Sequence, residues 1–251
     1  MGVEVRVEGL TKSFGSSTVW SDVSLTLPAG EISVMLGPSG TGKSVFLKTL
    51  VGLLKPDSGS IWIQDRDLTR LREHDLYEVR KLFGVLFQDG ALFGSMNIYD
   101  NVAFPLREHT RKSESHIKAV VYEKLDMVGL VGAEDKLPGE ISGGMRKRAG
   151  LARALVLEPE IILCDEPDSG LDPVRTALLC ELIREAHAEN GGCYLTISHD
   201  LNTARRIADF LAVLWNGKIV ESGPKEELFD SENAFVAQFL KADVTGPLSM
   251  D

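Results

Sequence analysis

The sequence predicts an α/β fold in which a largely parallel core carries an antiparallel β layer and a nested helical subdomain. Apolar runs at Ile32–Leu36, Ile161–Cys164 and Cys193–Ile197 have the length of buried strands and alternate with helical patterns. Strands that alternate with helices favour a parallel sheet. Between residues 112 and 130 the apolar side chains instead recur at helical spacing. A helical segment therefore interrupts the core.

The N-terminal part of the chain predicts the β layer. Apolar and polar residues alternate in three short segments, as in strands with one buried face. The apolar members are Val3, Val5, Val7, Val23, Leu25, Leu27, Ile61 and Ile63. We therefore expect an antiparallel layer beside the core strand at Ile32–Leu36.

The centre of the chain, at about 89–158, predicts a mostly helical insert. One helix falls within 112–130, and a second runs from near Gly144 to Leu157, stopping before Pro159. We expect a run of three cations on the second helix to form a solvated face. These cations are Arg146, Lys147 and Arg148.

The core resumes after the insert. Asp172 and Pro173 are typical of an N-cap and a first helical residue. Asn216-Gly217 between two strand patterns predicts a tight hairpin. We divide the chain into a core with the β layer at 1–88 and 159–225, a helical subdomain at 89–158, and a C-terminal helix and tail at 226–251.

The C-terminal segment leaves two interpretations open. An apolar stripe formed by Phe235, Val236, Phe239 and Leu240 either packs on its own chain or meets a partner. The last residues, from Val244 to Asp251, are typical of a frayed tail.

Composition narrows the functional class. The 251 residues are 43% hydrophobic, yet no apolar stretch approaches the roughly 20 residues that a membrane span needs. The N-terminus lacks a signal pattern, so we expect a soluble cytoplasmic protein. Three widely spaced cysteines fit reduced thiols better than disulfides. A net charge of −10 argues against nucleic acid as the main partner.

One motif dominates the sequence. It has the pattern G-x-x-x-x-G-K-[ST] of a phosphate-binding loop, between a strand and a helix. It consists of Gly37, Pro38, Ser39, Gly40, Thr41, Gly42, Lys43 and Ser44. The backbone N–H groups and the helix N-terminus favour a phosphate. Lys43 supplies a charge for the β- and γ-phosphates, and Ser44 a hydroxyl for Mg²⁺.

Two further features accompany the loop. Asp165 and Glu166 follow a buried strand, where one carboxylate can serve Mg²⁺ and the other can polarise an attacking water. Ser142-Gly143-Gly144 precedes a helix and makes a second anion site. We do not expect both sites to reach one nucleotide within a single subunit, so we predict a head-to-tail dimer with ATP between the subunits.

In these motifs the chain resembles the nucleotide-binding subunits of ABC transporters over nearly its full length. The matching motifs, in order, are Gly37–Ser44 (Walker A), Gln88 (Q-loop), Ile141–Met145 (signature), Ile161–Asp165 with Glu166 (Walker B), Ser169–Asp172 (D-loop) and His199 (switch histidine). The resemblance implies a P-loop NTPase (RecA-like) core and an ATPase that uses ATP and Mg²⁺.

The resemblance also assigns roles. It implies catalytic roles for Glu166, His199 and Gln88, and metal ligation by Ser44, Gln88 and Asp165. Nucleotide binding falls to Phe14, Gly37, Pro38, Ser39, Gly40, Thr41, Gly42, Lys43, Ser44, Ser142, Gly143, Gly144 and Asp172. From residue type alone, Gln88 could be a solvated loop amide, His199 a structural histidine and Phe14 a core residue.

Details around Gln88, Met145 and Pro173 resemble the ATPases of Mce/Mla-type lipid transport systems, most closely the actinobacterial Mce-associated branch. Met145 stands where most of the wider family has glutamine, so one amide contact is lost. The resemblance implies a membrane permease as partner, docked at 89–105, lipid-binding Mce-type proteins beyond it, and a place on the inner face of the cell membrane. The alternatives are import of a polar nutrient, a non-transport ABC ATPase, and a nucleotide-binding module without turnover.

Overall fold

The computed structural model describes residues 3–248 and contains two β-sheets. A four-stranded antiparallel sheet has the order β2-β1-β4-β5, and a six-stranded sheet has the order β10-β9-β3-β8-β7-β6. The strands are β1 (Val5–Phe14), β2 (Ser17–Leu27), β3 (Ile32–Leu36), β4 (Ser58–Ile63), β5 (Arg66–Asp67), β6 (Phe83–Leu86), β7 (Ile161–Asp165), β8 (Cys193–Ile197), β9 (Phe210–Trp215) and β10 (Lys218–Pro224).

Nine α-helices connect or cover these strands within residues 3–248. They are α1 (Lys43–Leu50), α2 (Glu73–Arg80), α3 (Ile98–His109), α4 (Glu114–Met127), α5 (Gly143–Leu155), α6 (Pro173–Asn190), α7 (Leu201–Ile207), α8 (Lys225–Phe229) and α9 (Ala234–Lys241). The expected strands and the helix of the phosphate loop are confirmed. The sequence patterns did not predict α2, α3, α7 or α8.

The six-stranded sheet is parallel except for its edge strand β10. Strands β9, β3, β8, β7 and β6 pair in parallel, and β10 closes an antiparallel hairpin with β9. Asn216 and Gly217 at the hairpin tip both have positive φ, 48° and 70°. That is the conformation of a type I′ turn, so the predicted hairpin is confirmed.

Both faces of the six-stranded sheet are covered, which explains its continuous apolar runs. Along β3, Ile32 and Val34 face a core shared with α3–α7, while Met35 faces a core shared with α1 and the β layer. In the antiparallel layer, Val5 and Val7 on β1 pair with β2 on one side and β4 on the other. The predicted β layer is therefore confirmed.

The helical segment is organised around a buried asparagine. Asn101 on α3 is fully buried, accepts a hydrogen bond from the Phe93 N–H at 2.7 Å, and donates to three backbone carbonyls between Phe93 and Asn97. Helices α3, α4 and α5 pack on one another, and α5 also packs on β6. This packing joins the helical segment to the edge of the parallel sheet.

The C-terminal helix packs on its own chain. The ring of Phe235 on α9 stacks on Trp215 with a centroid distance of 3.9 Å, and Val236 and Leu240 are buried. The frayed tail predicted from residue 244 is wrong at Leu248, because Gln238 holds Leu248 through its backbone N–H (2.8 Å) and carbonyl (2.9 Å), while residues 244–247 are exposed. Residues 249–251 lie outside the described part.

Within residues 3–248 no helix is both long and apolar enough to cross a bilayer. Cys164, Cys180 and Cys193 are all free and buried, as expected for reduced core thiols. Burial raises the pKa of Cys164 to about 12 and that of Cys180 to about 11.

Candidate functional site

The site gathers at the carboxyl ends of four adjacent parallel strands. The phosphate loop follows β3, His199 follows β8, Asp165 and Glu166 end β7, and Gln88 follows β6. In open α/β sheets this edge is where ligands bind. The strand order therefore brings together residues that are up to about 160 positions apart in the sequence.

Glycines let the phosphate loop turn tightly against the β layer. Gly42 has a φ of 89°, and a β-carbon there would lie 2.2 Å from Val19 Cγ1. Only glycine fits such a position without displacing β2. Ser39 and Gly40 form the exposed tip of the loop, and α1 begins directly after Gly42.

Lys43 lies under this loop. Its Nζ donates to the carbonyls of Gly37 (2.8 Å) and Pro38 (2.9 Å). Burial lowers the pKa of Lys43, and the nearby carboxylates of Glu166 and Asp165 oppose that shift. The cation is therefore held at the loop, beside the acidic end of β7.

The hydroxyl of Ser44 connects the loop to β7. Its Oγ donates to Asp165 Oδ1 at 2.7 Å. Burial raises the pKa of Asp165, the Ser44 hydrogen bond lowers it, and the neighbouring Glu166 raises it further. A hydroxyl and a carboxylate held together are oxygen donors of the kind that Mg²⁺ prefers.

Glu166 and His199 face each other across the ends of β7 and β8. Glu166 Oε1 lies 3.7 Å from His199 Nδ1. Glu166 has a φ of 45°, which is uncommon for a residue with a β-carbon, and its N–H donates to the Ile197 carbonyl at 2.9 Å. This strained bend places an acid and an imidazole side by side.

Gln88 lies in the exposed loop after β6. Its Nε2 donates to Ser169 Oγ at 3.1 Å, so the amide touches the loop that follows Glu166. Gln88 thereby links the start of the helical segment to the end of β7.

The serine-glycine turn is a separate, exposed part of the surface. Ser142 caps α5, since its Oγ accepts the Met145 N–H at 3.2 Å. A cavity of about 140 Å³ lies beside Ser142, and none of the described residues that line it belongs to the phosphate loop. Met145 is half-buried and packs against the core, so its side chain makes apolar contacts.

Phe14 and Asp172, two of the predicted nucleotide-binding residues, differ in what their side chains contact. Phe14 is 51% exposed at the end of β1, with Lys12 Nζ 5.3 Å from its ring centroid, so it is not a core residue. Asp172 caps α6 by accepting the N–H groups of Val174 and Arg175 at 3.0 Å. The predicted N-cap is confirmed, and this carboxylate is already engaged in capping.

The expectation of a solvated basic face on α5 is wrong. Arg146 donates to the Ile141 carbonyl, Arg148 to that of Val128, and Lys147 is buried against the loop after Glu166. Helical spacing contained the signal for Lys147, because residues four and seven positions later, Leu151 and Ala154, are apolar.

Asp168 was also missed. Its Oδ2 accepts hydrogen bonds from Ser198 Oγ (2.5 Å) and Thr203 Oγ1 (2.8 Å), so it ties the loop after Glu166 to the residue before His199. Its position within the motif that contains Glu166 and Ser169 is the one sequence signal that could have found it.

Comparisons with known proteins identify the family and the fold. Residues 20–169 match the family described as ABC transporter. The chain is 62% identical over 250 residues to the probable ribonucleotide transport ATP-binding protein mkl of Mycobacterium tuberculosis, a match that covers all of this chain and 70% of that protein. The chain belongs to the ABC transporter family.

Other ABC transporter proteins resemble it over similar spans. The intermembrane phospholipid transport system ATP-binding protein MlaF of Escherichia coli K12 is 40% identical over 246 residues, which cover 98% of this chain and 91% of MlaF. The cassette MJ0796, solved as a dimer in a post-hydrolysis state with ADP and Pi, superposes with a TM-score of 0.81 at 28% identity. That match covers 88% of this chain and 98% of the cassette.

The chain is therefore an ATP-binding subunit of an ABC transporter with a P-loop NTPase fold, and it is an ATPase that uses ATP and Mg²⁺. The described residues fit these ligands. The glycine loop leaves no space for a side chain at Gly42, and Ser44 and Asp165 present two oxygens at its base.

Proposed function

We propose that this ABC ATPase powers a separate membrane permease that moves a lipid. The observation that carries the ATPase part is the pairing of Glu166 with His199 beside the phosphate loop. The lipid part is supported by MlaF, a relative over nearly the whole chain whose name specifies phospholipid transport.

In this mechanism the protein positions charge and does little covalent chemistry. Lys43 and the loop N–H groups hold the β- and γ-phosphates. Glu166 orients and polarises the attacking water, and His199 steadies the γ-phosphate side of the site. Because Glu166 Oε1 and His199 Nδ1 are only 3.7 Å apart, both side chains can act at the same position in the site.

Oxygen ligands for Mg²⁺ would come from Ser44, Asp165 and Gln88. The metal would neutralise charge on the phosphates as the γ-phosphate leaves. Asp165 is held by Ser44 at 2.7 Å, so the protein contributes a pre-formed pair of oxygens. Gln88 connects this site to the loop after Glu166, because its amide donates a hydrogen bond to Ser169 in that loop.

We propose that a working site forms between two copies of the chain. Ser142 and Gly143 are accessible at the N-terminus of α5, where unpaired N–H groups favour an anion. In a head-to-tail dimer, this turn on one copy would cover the nucleotide on the phosphate loop of the other. Phe14, exposed on β1, would stack on the adenine.

The permease is proposed to dock in an open groove between α2, β6, α3 and α5. The groove encloses about 430 Å³. It is lined by Tyr77, Arg80, Lys81, Phe83, Gly84, Val85, Phe87, Pro105, His109, Arg153, Ala154 and Leu157. A mixed aromatic and basic lining suits an amphipathic helix.

The side chains in the segment 89–105, where we expect docking, differ in their exposure. Ile98 is fully buried, and Leu92 and Tyr99 pack against the core. Phe93 is 44% exposed, and Pro105 lines the groove. Phe93 is thus the side chain in this segment best placed to meet a permease on the inner face of the membrane.

A second candidate substrate is a ribonucleotide, since the relative at 62% identity is named for ribonucleotide transport. Deleting the chain's coding sequence from its host separates the two. Loss of uptake or trafficking of a labelled lipid, with normal ribonucleotide uptake, is the result we expect. The opposite pattern contradicts lipid transport and leaves the ATPase assignment intact.

A further inference from the structure

The cation that α5 buries holds a specific stretch of backbone. Lys147 is 4% exposed, and its Nζ donates to the carbonyls of Pro167 (2.8 Å), Ser169 and, at 3.5 Å, Glu166. A lysine ammonium has three N–H donors. All three are therefore directed at one four-residue segment, which we name the 166–169 bend.

The 166–169 bend needs external support. Glu166 is in the left-handed region, with a φ of 45°, and such residues persist only where their surroundings fix them. One support is internal, since the Ser169 N–H donates to the Glu166 carbonyl at 3.2 Å. Lys147 acts on that same carbonyl from outside the bend.

The bend is also anchored from its other side. Asp168 accepts the Ser198 and Thr203 hydroxyls, and Ser198 directly precedes His199. Burial lowers the pKa of Lys147, while the negative charges of Asp168, Asp89 and Glu166 oppose that shift. The ammonium thus sits where both backbone carbonyls and carboxylates favour a cation.

The helix that carries Lys147 is itself fixed to the Gln88 loop. A β-carbon at Gly90 would lie 2.6 Å from the Arg146 carbonyl, so loop and helix are in close contact. Arg153 on the same helix donates to the carbonyls of Gly90 (2.8 Å) and Ala91 (2.9 Å). Lys147 therefore projects from a rigid support.

We propose that Lys147 is a positioning residue for hydrolysis: its ammonium holds the 166–169 bend and so keeps the Glu166 carboxylate beside His199. The inference rests on the proposed function, in which Glu166 polarises the attacking water. Through Lys147, helix α5, which Ser142 caps, is then connected directly to Glu166 of the same subunit.

The test compares Lys147→Met with Lys124→Met in the full chain. Lys124 is a second buried lysine, 3% exposed on α4, so it controls for the loss of a buried cation. Small displacements of a reacting group can cost about 10²-fold in rate. We expect Lys147→Met to lower kcat by about 10- to 100-fold with KM for ATP nearly unchanged, and Lys124→Met to leave both near wild type.

Hydrogen exchange supplies a readout that does not depend on turnover. The Glu166 and Ser169 amides should exchange faster in Lys147→Met than in Lys124→Met, while amides of β3 stay protected. Unchanged exchange at the bend, or equal kcat in the two variants, overturns the inference. If the two variants exchange as expected but the wild-type chain does not hydrolyse ATP, the proposed function is contradicted instead.

Discussion

The hydroxyl of Ser44 donates a 2.7 Å hydrogen bond to the carboxylate of Asp165, although 121 positions separate the two residues in the sequence. This bond joins the start of α1 to the end of β7 and places together the two oxygens that we propose as Mg²⁺ ligands. It also keeps a carboxylate in a setting whose burial favours its protonated form. The arrangement therefore favours metal binding over the stability of the nucleotide-free protein.

Asp165→Asn should accordingly stabilise the nucleotide-free chain at neutral pH. The raised pKa of Asp165 means that the folded state binds this proton more readily than the unfolded chain, so the carboxylate destabilises the fold at higher pH. The penalty declines as the pH falls from the folded-state pKa toward the unfolded value, near pH 4. Thermal unfolding should show a higher Tm for the variant at pH 8.

The Tm advantage of Asp165→Asn should shrink as the pH is lowered. A gain of about 1 kcal/mol would raise Tm by about 2–4 °C in a chain of this size. Adding Mg²⁺ and ATP should stabilise the wild type more than the variant, because ligands that bind the folded state raise its stability. A lower Tm for Asp165→Asn at every pH would contradict this account of the site.

Glu166→Gln should bind ATP normally and lose about 10²- to 10⁴-fold in turnover, the usual cost of removing a positioned base. The variant should also accumulate an ATP-bound dimer, because closure precedes hydrolysis. Phosphate release and size-exclusion chromatography measure the two effects. Glu160→Gln, the same change just before β7 at an exposed position, is the matched control and should behave as wild type. Near-normal turnover in Glu166→Gln would remove it from the mechanism.

Phe93→Asp should keep the fold and ATP binding yet fail to co-purify with the permease. An unpaired charge buried at an interface costs several kcal/mol. Phe93 lies beside the groove, with the guanidinium of Arg153 in its lining 6.0 Å from the Phe93 ring centroid. Tyr122→Asp is the control, because Tyr122 is 39% exposed on α4, outside the segment 89–105. Equal recovery of permease with both variants would place the docking surface elsewhere.

The phosphate loop and three core strands could be predicted from sequence for a simple physical reason. Strands buried on both faces give uninterrupted apolar runs, so β3 spans the predicted Ile32–Leu36, and β8 spans the predicted Cys193–Ile197. The residues that follow such strands in one parallel sheet meet at one edge. Strand order, and hence which residues become neighbours, is a tertiary property and came only from the structure.

Features set by tertiary contacts were harder to predict. Helical spacing places Lys147 on the apolar face of α5, but it does not show that the backbone carbonyls of another element would satisfy a buried ammonium there. The apolar stripe of α9 could equally have met a partner until its stacking on Trp215 was seen. The anchoring of Leu248 could not be predicted, because it depends on the side chain of Gln238, ten positions earlier.

The central claim is that Lys43 of one copy and Ser142 of another serve the same ATP. Lys43→Ala should weaken nucleotide binding, and Ser142→Arg should block hydrolysis while leaving ATP binding to the isolated chain intact. Each variant alone should therefore be inactive.

The most direct measurement is phosphate release from a mixture of the two variants at equal concentration. A site built across the interface predicts recovered turnover, because the mixed dimer holds one site with both residues intact. Turnover that stays at the level of the separate variants, while mixed dimers are shown to form, would contradict the shared site.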